Sequence, residues 1–430
     1  MKNGSISRRH FVGRTAAGLA GTSVLSLMAP HRAAAFESSG DVPSPRRPGS
    51  AALAASYDLS PEITYLNHAS IGTVPRVVRQ ALVGYLQVCE TNPWLYLWGD
   101  AWDEPVARTR SKAAVLLHCD PAELAITHTT TEGFNTLASG LDLAAGDEVL
   151  FSSLNHVGAS ACWFHQARRR GFSVRRFEIP IEQVAGLSAD DVVTLHVDQI
   201  RERTRVLVLP HVDNLVGLQH PVRRIASRAR ARGVRFIAVD GAQSVGTIPV
   251  DLSELGIDFY ATSAHKWLQA PKGMGLLYVR RSIQEKLQPM SVTWGQPLWE
   301  GSARIYEDFG TRDLATVLAL GDAIDFHRSL DRTAGGAHLR ALRLRCRDRA
   351  AATAGVTWLS PPAEALSASL YTIGVTGPAK SLFERMFSRS GFVFRPFETS
   401  HGNRLRLSPN LATTPEDIDR FFDALEQAMG

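Results

Sequence analysis

Short apolar runs rich in β-branched and aromatic residues recur along this chain, at Glu148–Ser152, Val174–Ile179, Val206–Pro210, Val234–Val239 and Gly275–Val279. Stretches of helical period lie between them. In Val222–Arg232, for example, Val222, Ile225, Ala226 and Ala229 fall on one face. Strands alternating with helices predict an α/β fold with a mixed, mostly parallel sheet covered on both faces. In such sheets ligands bind at the carboxyl ends of the strands, where loops run into helix amino termini. Beyond about Asp308 the pattern changes to a long helix, two short strands (Leu370–Val375, Gly391–Phe394) and a terminal helix from Pro415. A large domain over 56–307, with an N-terminal segment, and a small α+β domain over 308–430 are therefore expected. A chain of 430 residues, 44% hydrophobic, is long and apolar enough for both.

The first 35 residues read differently. Ser7-Arg8-Arg9-His10-Phe11-Val12, a mildly apolar stretch from Ala16 to Met28, and Ala33-Ala34-Ala35 follow one another in order. This is the pattern of a twin-arginine export signal ending in a cleavage site, so residues 1–35 are expected to be a leader and 36–55 a Ser/Pro/Gly-rich linker. Its apolar stretch, interrupted by Gly18 and Gly21, is too short to span a bilayer comfortably, so no stable membrane insertion is expected after cleavage. Export places the protein in the periplasm or outside the cell, with the twin-arginine machinery as a transient partner. It also explains the charge. Lys2, Arg8, Arg9, Arg14 and Arg32 lie in a stretch with no acid, and the whole chain carries +5, so residues 36–430 are neutral with histidine uncharged. A neutral body offers no broad footprint for a phosphate backbone, which argues against a nucleic-acid partner. The arginine-rich stretches Arg223–Arg232 and Arg340–Arg349 read as solvated helix faces.

Chemistry is sought just after each strand. In Leu124-Ala-Ile-Thr127-His128-Thr129-Thr130-Thr131-Glu132 a strand runs into a helix, and Thr129 with Glu132 fits a capping box. Amides and hydroxyls at the positive end of a helix suit an anion such as phosphate, although an ordinary helix cap reads the same way. Phe236-Ile-Ala-Val-Asp240 ends a strand on a carboxylate, as a partner for a cation or as a simple cap. Asp258-Phe-Tyr-Ala-Thr-Ser263-Ala-His265-Lys266 ends a strand on a lysine, followed by the turn Pro271-Lys-Gly-Met-Gly275. A lysine in an apolar or cationic setting loses pKa, which suits Schiff-base chemistry. The three places together call for a cofactor with a phosphate, a basic ring nitrogen and an aldehyde, which pyridoxal 5'-phosphate combines. Lys266 would bind the aldehyde and Asp240 the ring nitrogen, and Thr130, Thr131, Ser263 and His265 the phosphate.

Asp240-Gly-Ala-Gln243 followed by Ser263-Ala-His-Lys266 closely resembles the class V aminotransferase family of fold-type-I pyridoxal phosphate enzymes, from about Tyr65 to the end. That resemblance implies further roles. His156, in Asn155-His156, would stack on the cofactor ring, and Gln243 would bond its phenolic oxygen. Asn214, in His211-Val-Asp-Asn214-Leu-Val-Gly217, would lie near cofactor and substrate. Arg406, in Arg406-Leu-Ser408, would grip the substrate α-carboxylate, a task suited to a bidentate guanidinium. Gly310-Thr311 would reach the phosphate across a homodimer interface. Tyr65-Leu-Asn67-His68-Ala-Ser70-Ile-Gly72 and Gly310-Thr-Arg-Asp313 are similar to the isopenicillin N epimerase-like branch, which adds Asn67 at the substrate. Desulfurases of this family carry a nucleophilic cysteine shortly before the carboxylate-binding arginine. Between Arg395 and Arg406 there is none, which argues against that activity, and Cys162 reads as packing.

The expected reaction is therefore cleavage of a bond at Cα of an amino acid or amino-acid-derived natural product. Aminotransferase or epimerase chemistry at Cα–H comes first. Oxygen-dependent oxidative decarboxylation of an exported natural product, such as a siderophore, is the alternative, and an inactive binding module is the third. No G-x-x-x-x-G-K-[ST], H-E-x-x-H or G-x-S-x-G occurs, so these nucleotide, metal and serine-hydrolase motifs offer no competing site.

Overall fold

A computed structural model describes residues 47–399 and 402–430. The expected leader and most of the linker lie outside the described residues. In chain order the strands are β1 (Thr64–Tyr65), β2 (Leu124–Thr127), β3 (Glu148–Ser152), β4 (Ser173–Phe177), β5 (Thr204–Pro210), β6 (Phe236–Asp240) and β7 (Phe259–Thr262). They continue with β8 (Gly275–Val279), β9 (Val356–Trp358), β10 (Tyr371–Val375), β11 (Phe392–Val393), β12 (Arg395–Thr399) and β13 (Gly402–Leu407).

A seven-stranded sheet has the order β2-β8-β7-β6-β5-β3-β4, and only β8 runs against the rest. The mixed, mostly parallel sheet is the one the alternation of elements predicts. Apart from the edge strand β4, its strands are buried on both faces because each face carries its own core. Leu150, Leu207, Leu209, Ile237 and Val239 point to one core, and Val149, Phe151, Val206, Val208 and Ala238 to the other. This is the period of two that a pleated strand imposes. Each valine, leucine, isoleucine or phenylalanine side chain among them removed from water contributes roughly 1.5–3 kcal/mol. The helix Val222–Ala231 buries the predicted Val222, Ile225, Ala226 and Ala229 and turns its arginines outward. Arg223 pairs with Glu254 at 3.3 Å, Arg224 with Asp190 and Arg230 with Asp258. The second arginine-rich stretch follows this only in part. Arg340 pairs with Glu364, Arg345 with Asp419 and Arg349 with Asp423, but Arg343 is buried and donates to Ser367 Oγ at 2.9 Å, which corrects the expectation of a wholly solvated face.

The carboxy-terminal part is richer than its sequence pattern predicts. The expected long helix is two, Leu314–Arg328 and Arg332–Ala352, and a further helix spans Ala379–Ser390. Of the two expected strands, Leu370–Val375 holds β10, inside a four-stranded antiparallel sheet β12-β13-β10-β9, and Gly391–Phe394 holds β11, which pairs with β1 instead. β13 escapes notice because Gly-Asn-Arg-Leu-Arg-Leu is short and half polar. Its alternation is nevertheless real: Leu405 and Leu407 enter a third core with Tyr371, Phe392 and Phe421, which turns Arg404 and Arg406 to the opposite face. The terminal helix starts at Pro415 as expected, behind a complete Thr414–Asp417 capping box. Helix Leu314–Arg328 buries most of one side in the core of the large sheet, whereas Leu339, Leu342 and Cys346 of the next helix join the third core. β1 pairs with β11, and Asn67 bridges Ser408, which carries the chain from 67 to 72 past the ends of the large sheet.

Candidate active site

Strands β2, β3, β5, β6 and β7 run in one direction, so their carboxyl ends share one edge of the sheet. A cavity of about 380 Å³ opens there. A larger one of about 740 Å³, between Leu117, Ile248 and Arg343, lies away from these strand ends. The strand-end cavity is the one that carries chemistry.

At the end of β2, Thr130 and Thr131 begin the helix Thr130–Gly140. Thr129 caps it, its hydroxyl accepting from the Glu132 amide at 3.1 Å. The expected reciprocal bond is displaced by one residue. Glu132 accepts from the His128 amide at 2.6 Å and meets the His128 ring at 2.8 Å. The cap is therefore single, and Glu132 braces the turn before it. The Thr130 amide donates to Ser263 Oγ at 3.0 Å, and the two hydroxyls lie 2.8 Å apart. Thr130, Thr131, Ser263 and His265, brought from two strand ends, all line the cavity. A Cβ on Gly158 would stand 2.6 Å from Thr131 Oγ1, so the glycine leaves the space this cup needs.

Asp240 ends β6 and is buried, with Oδ1 accepting from the Ala242 amide at 2.9 Å. Burial raises its pKa against the opposing pull of Lys266. Lys266 lies at the end of β7 in the same cavity, and burial lowers its ammonium pKa to about 8, with Asp240 pulling the other way and Arg406 reinforcing the drop. His156 caps the helix Val157–Arg170 through Nδ1, which accepts from the Gly158 amide at 3.0 Å. Burial lowers its pKa, so the ring is neutral with its proton on Nε2. Gln243 lines the cavity too, its amide fixed by Ala69 O at 2.9 Å and the Trp267 indole at 2.7 Å.

Arg406 reaches the cavity from β13 and is 3% exposed. Its guanidinium donates to Asn214 O and Ser70 Oγ, each at 2.7 Å, and to Asn67 Oδ1 at 3.3 Å, while buried Nε has no acceptor. All three acceptors are neutral. Burial, and then the neighbouring Arg395, lower the Arg406 pKa to about 10. Asn67 touches Arg406 without lining the cavity. Thr311 is exposed and lies outside the cavity of its own chain. Sequence reasoning overlooked Ser70, Arg395 and Phe397 as cavity residues. Ser70 stands inside the quoted Tyr65–Gly72 motif, but the other two carry no local signal, because only the pairing of β12 with β13 brings them here.

The donor set suits a phosphorylated, amine-reactive ligand: one cavity holds a hydroxyl and amide cup, a buried carboxylate and a lysine. The model of class-V aminotransferases matches residues 64–421. The chain belongs to the class-V aminotransferase family. The cofactor of this class-V enzyme is pyridoxal 5'-phosphate, for which the cavity provides the groups. The enzyme is 33% identical over 390 residues to the isopenicillin N epimerase of Streptomyces clavuligerus, covering 86% of this chain and 96% of that protein. It is 31% identical over 388 residues to a probable cysteine desulfurase of Pseudomonas aeruginosa, covering 85% and 94%. Among solved structures it resembles a cystine C-S lyase in complex with its product cysteine persulfide, with a TM-score of 0.75 at 22% identity over 84% of this chain and 97% of that one. That likeness bears on the fold.

Proposed function

We propose that this enzyme breaks the Cα–H bond of an amino acid, or of a natural product derived from one, in an epimerisation or transamination. The observation that carries the reading is Lys266, a buried amine with a pKa near 8 that shares one cavity with Asp240 and the buried Arg406. When bound, the cofactor supplies an electrophilic carbon for the substrate amine and a conjugated ring that takes up electrons released at Cα. Arg406 holds the α-carboxylate, since its present acceptors are neutral and its Nε has none. With the cofactor bound, Asp240 would keep a proton at the ring nitrogen and neutral His156 would cover the ring face. Lys266, whose pKa burial lowers to about 8, takes the Cα proton at Nζ and returns it. The similarity to isopenicillin N epimerases supports this proton traffic. None of the four cysteines lines the cavity, so no thiol of this chain stands ready to take sulfur from a substrate. Two further parts of the proposal are a homodimer in which Thr311 completes the phosphate site of the second copy, and twin-arginine export of the folded, loaded protein.

Exchange of the Cα proton for deuterium in heavy water, followed by NMR for a panel of amino acids, tests the reading. Exchange that depends on cofactor and disappears in Lys266→Ala is expected. Oxygen-dependent release of carbon dioxide without exchange would move the assignment to oxidative decarboxylation. Sulfide released from cysteine would move it to desulfuration, and no cofactor binding at all to an inactive module.

A further inference from the structure

β12 and β13 are antiparallel, and their register sets Arg395 directly opposite Arg406. Like charges in that position are destabilising by themselves. Both guanidinium groups lean on the same ring, Arg395 at 5.5 Å and Arg406 at 5.6 Å from the centre of Phe397. Among the described residues, no carboxylate forms an ion pair with either of them. Arg404, on the same face, does have one, Glu182 at 2.7 Å. The buried Asp213 is the acid felt by Arg406, but its oxygens are taken by the amides of Leu215, Val216 and Leu218 at 2.7, 2.8 and 2.6 Å. Arg395 forms no ion pair with any described residue. Its side chain lines the cavity while the residue stays exposed, which places it at the mouth.

The cavity lining thus holds Lys266, Arg395 and Arg406 against the single carboxylate of Asp240. The phosphate cup of Thr130 and Ser263 is a separate set of groups, bonded to one another rather than to these arginines. One α-carboxylate satisfies Arg406 and leaves Arg395 unanswered.

We infer that the substrate carries a second carboxylate, on its side chain or a nearby substituent, and that Arg395 binds it at the cavity mouth while Arg406 binds the α-carboxylate. This rests on the function proposed above and narrows it to acidic amino acids and their derivatives. A part-exposed arginine–carboxylate pair gives about a tenfold gain in affinity. Phe397 holds both guanidinium planes in place and shields the gap between them from water.

Titration calorimetry of the cofactor-loaded enzyme with glutarate and with valerate, acids of equal carbon number, tests the inference without any variant. Glutarate is expected to bind ~10-fold more tightly than valerate, and the ratio to shrink as salt is raised. In Arg395→Gln the two acids should bind alike, at the valerate level, and Arg395→Lys should recover part of the ratio. Equal affinities in the unaltered enzyme, or a preference for glutarate that survives in Arg395→Gln, would overturn it. Borohydride trapping of the cofactor on Lys266, read by peptide mass mapping, separates this outcome from failure of the functional reading. A trapped enzyme indifferent to the second carboxylate refutes the substrate class alone.

Discussion

Lys266 combines two demands that conflict elsewhere in a protein: an amine must be buried, and it must be reactive. Burial lowers its pKa from the usual 10.5 to about 8, and Asp240 limits the fall. Only the neutral amine attacks an aldehyde, so capture of cofactor by the apoprotein should quicken about tenfold per pH unit below 8 and level off above it. Stopped-flow absorbance across pH 6–10 measures this, and a break near 10.5 would contradict the environment described. Asp240→Asn keeps the shape of the site and removes the carboxylate proposed to hold the ring-nitrogen proton. Cofactor should still bind, while kcat falls by about 10²–10³. Both residues are legible in the sequence because each follows an apolar strand, where a charged residue needs a reason to be. Arg395 is not, since an arginine after Phe394 looks like any surface arginine.

At the scale of elements, the loop from Asn67 to Gly72 supports the catalytic turn from below. The Gly72 amide donates to His265 O at 2.9 Å, and Lys272 Nζ donates to Gly72 O at 2.6 Å. A Cβ on Gly72 would overlap the Lys266 carbonyl oxygen. Gly72→Ala is therefore expected to displace the Lys266 turn and cost ten- to a hundredfold in kcat, a loss of the size that follows a misplacement of about 1 Å. The cofactor absorbance band should shift while the far-ultraviolet circular dichroism stays unchanged. The terminal helix gives a purely structural contrast. Thr414→Ala removes a cap 3.2 Å from the Asp417 amide and should cost about 1 kcal/mol in a denaturant titration, with turnover unaffected.

At the scale of the whole molecule, buried histidines tie stability to pH. His196 and His220 stack edge to face at 5.2 Å, each with Nδ1 on a backbone carbonyl and Nε2 buried without a partner. Burial lowers His196 and His211 to about 4, and His220 falls well below its usual value. As pH drops below 6.5 the unfolded chain takes up protons that the folded chain refuses. Stability is thus full above 6.5, falls between 6.5 and about 4, and loses up to about 3 kcal/mol for a group shifted that far. Urea midpoints at pH 7.5, 6 and 5 should decline in that order, and a constant midpoint would refute this account. The sequence by itself determined the α/β alternation, the strand-end positions of Thr130, Asp240 and Lys266, and hence the cofactor, because period and strand termini are local properties. The tertiary structure alone decided which residues meet across separate elements. It set the Thr130–Ser263 cup, the contacts of Arg406 with Asn67 and Ser70, and the facing of Arg395 by Arg406. Those meetings depend on strand register and on which face a side chain takes, and a half-polar, six-residue strand such as β13 carries neither until its partners fold beside it.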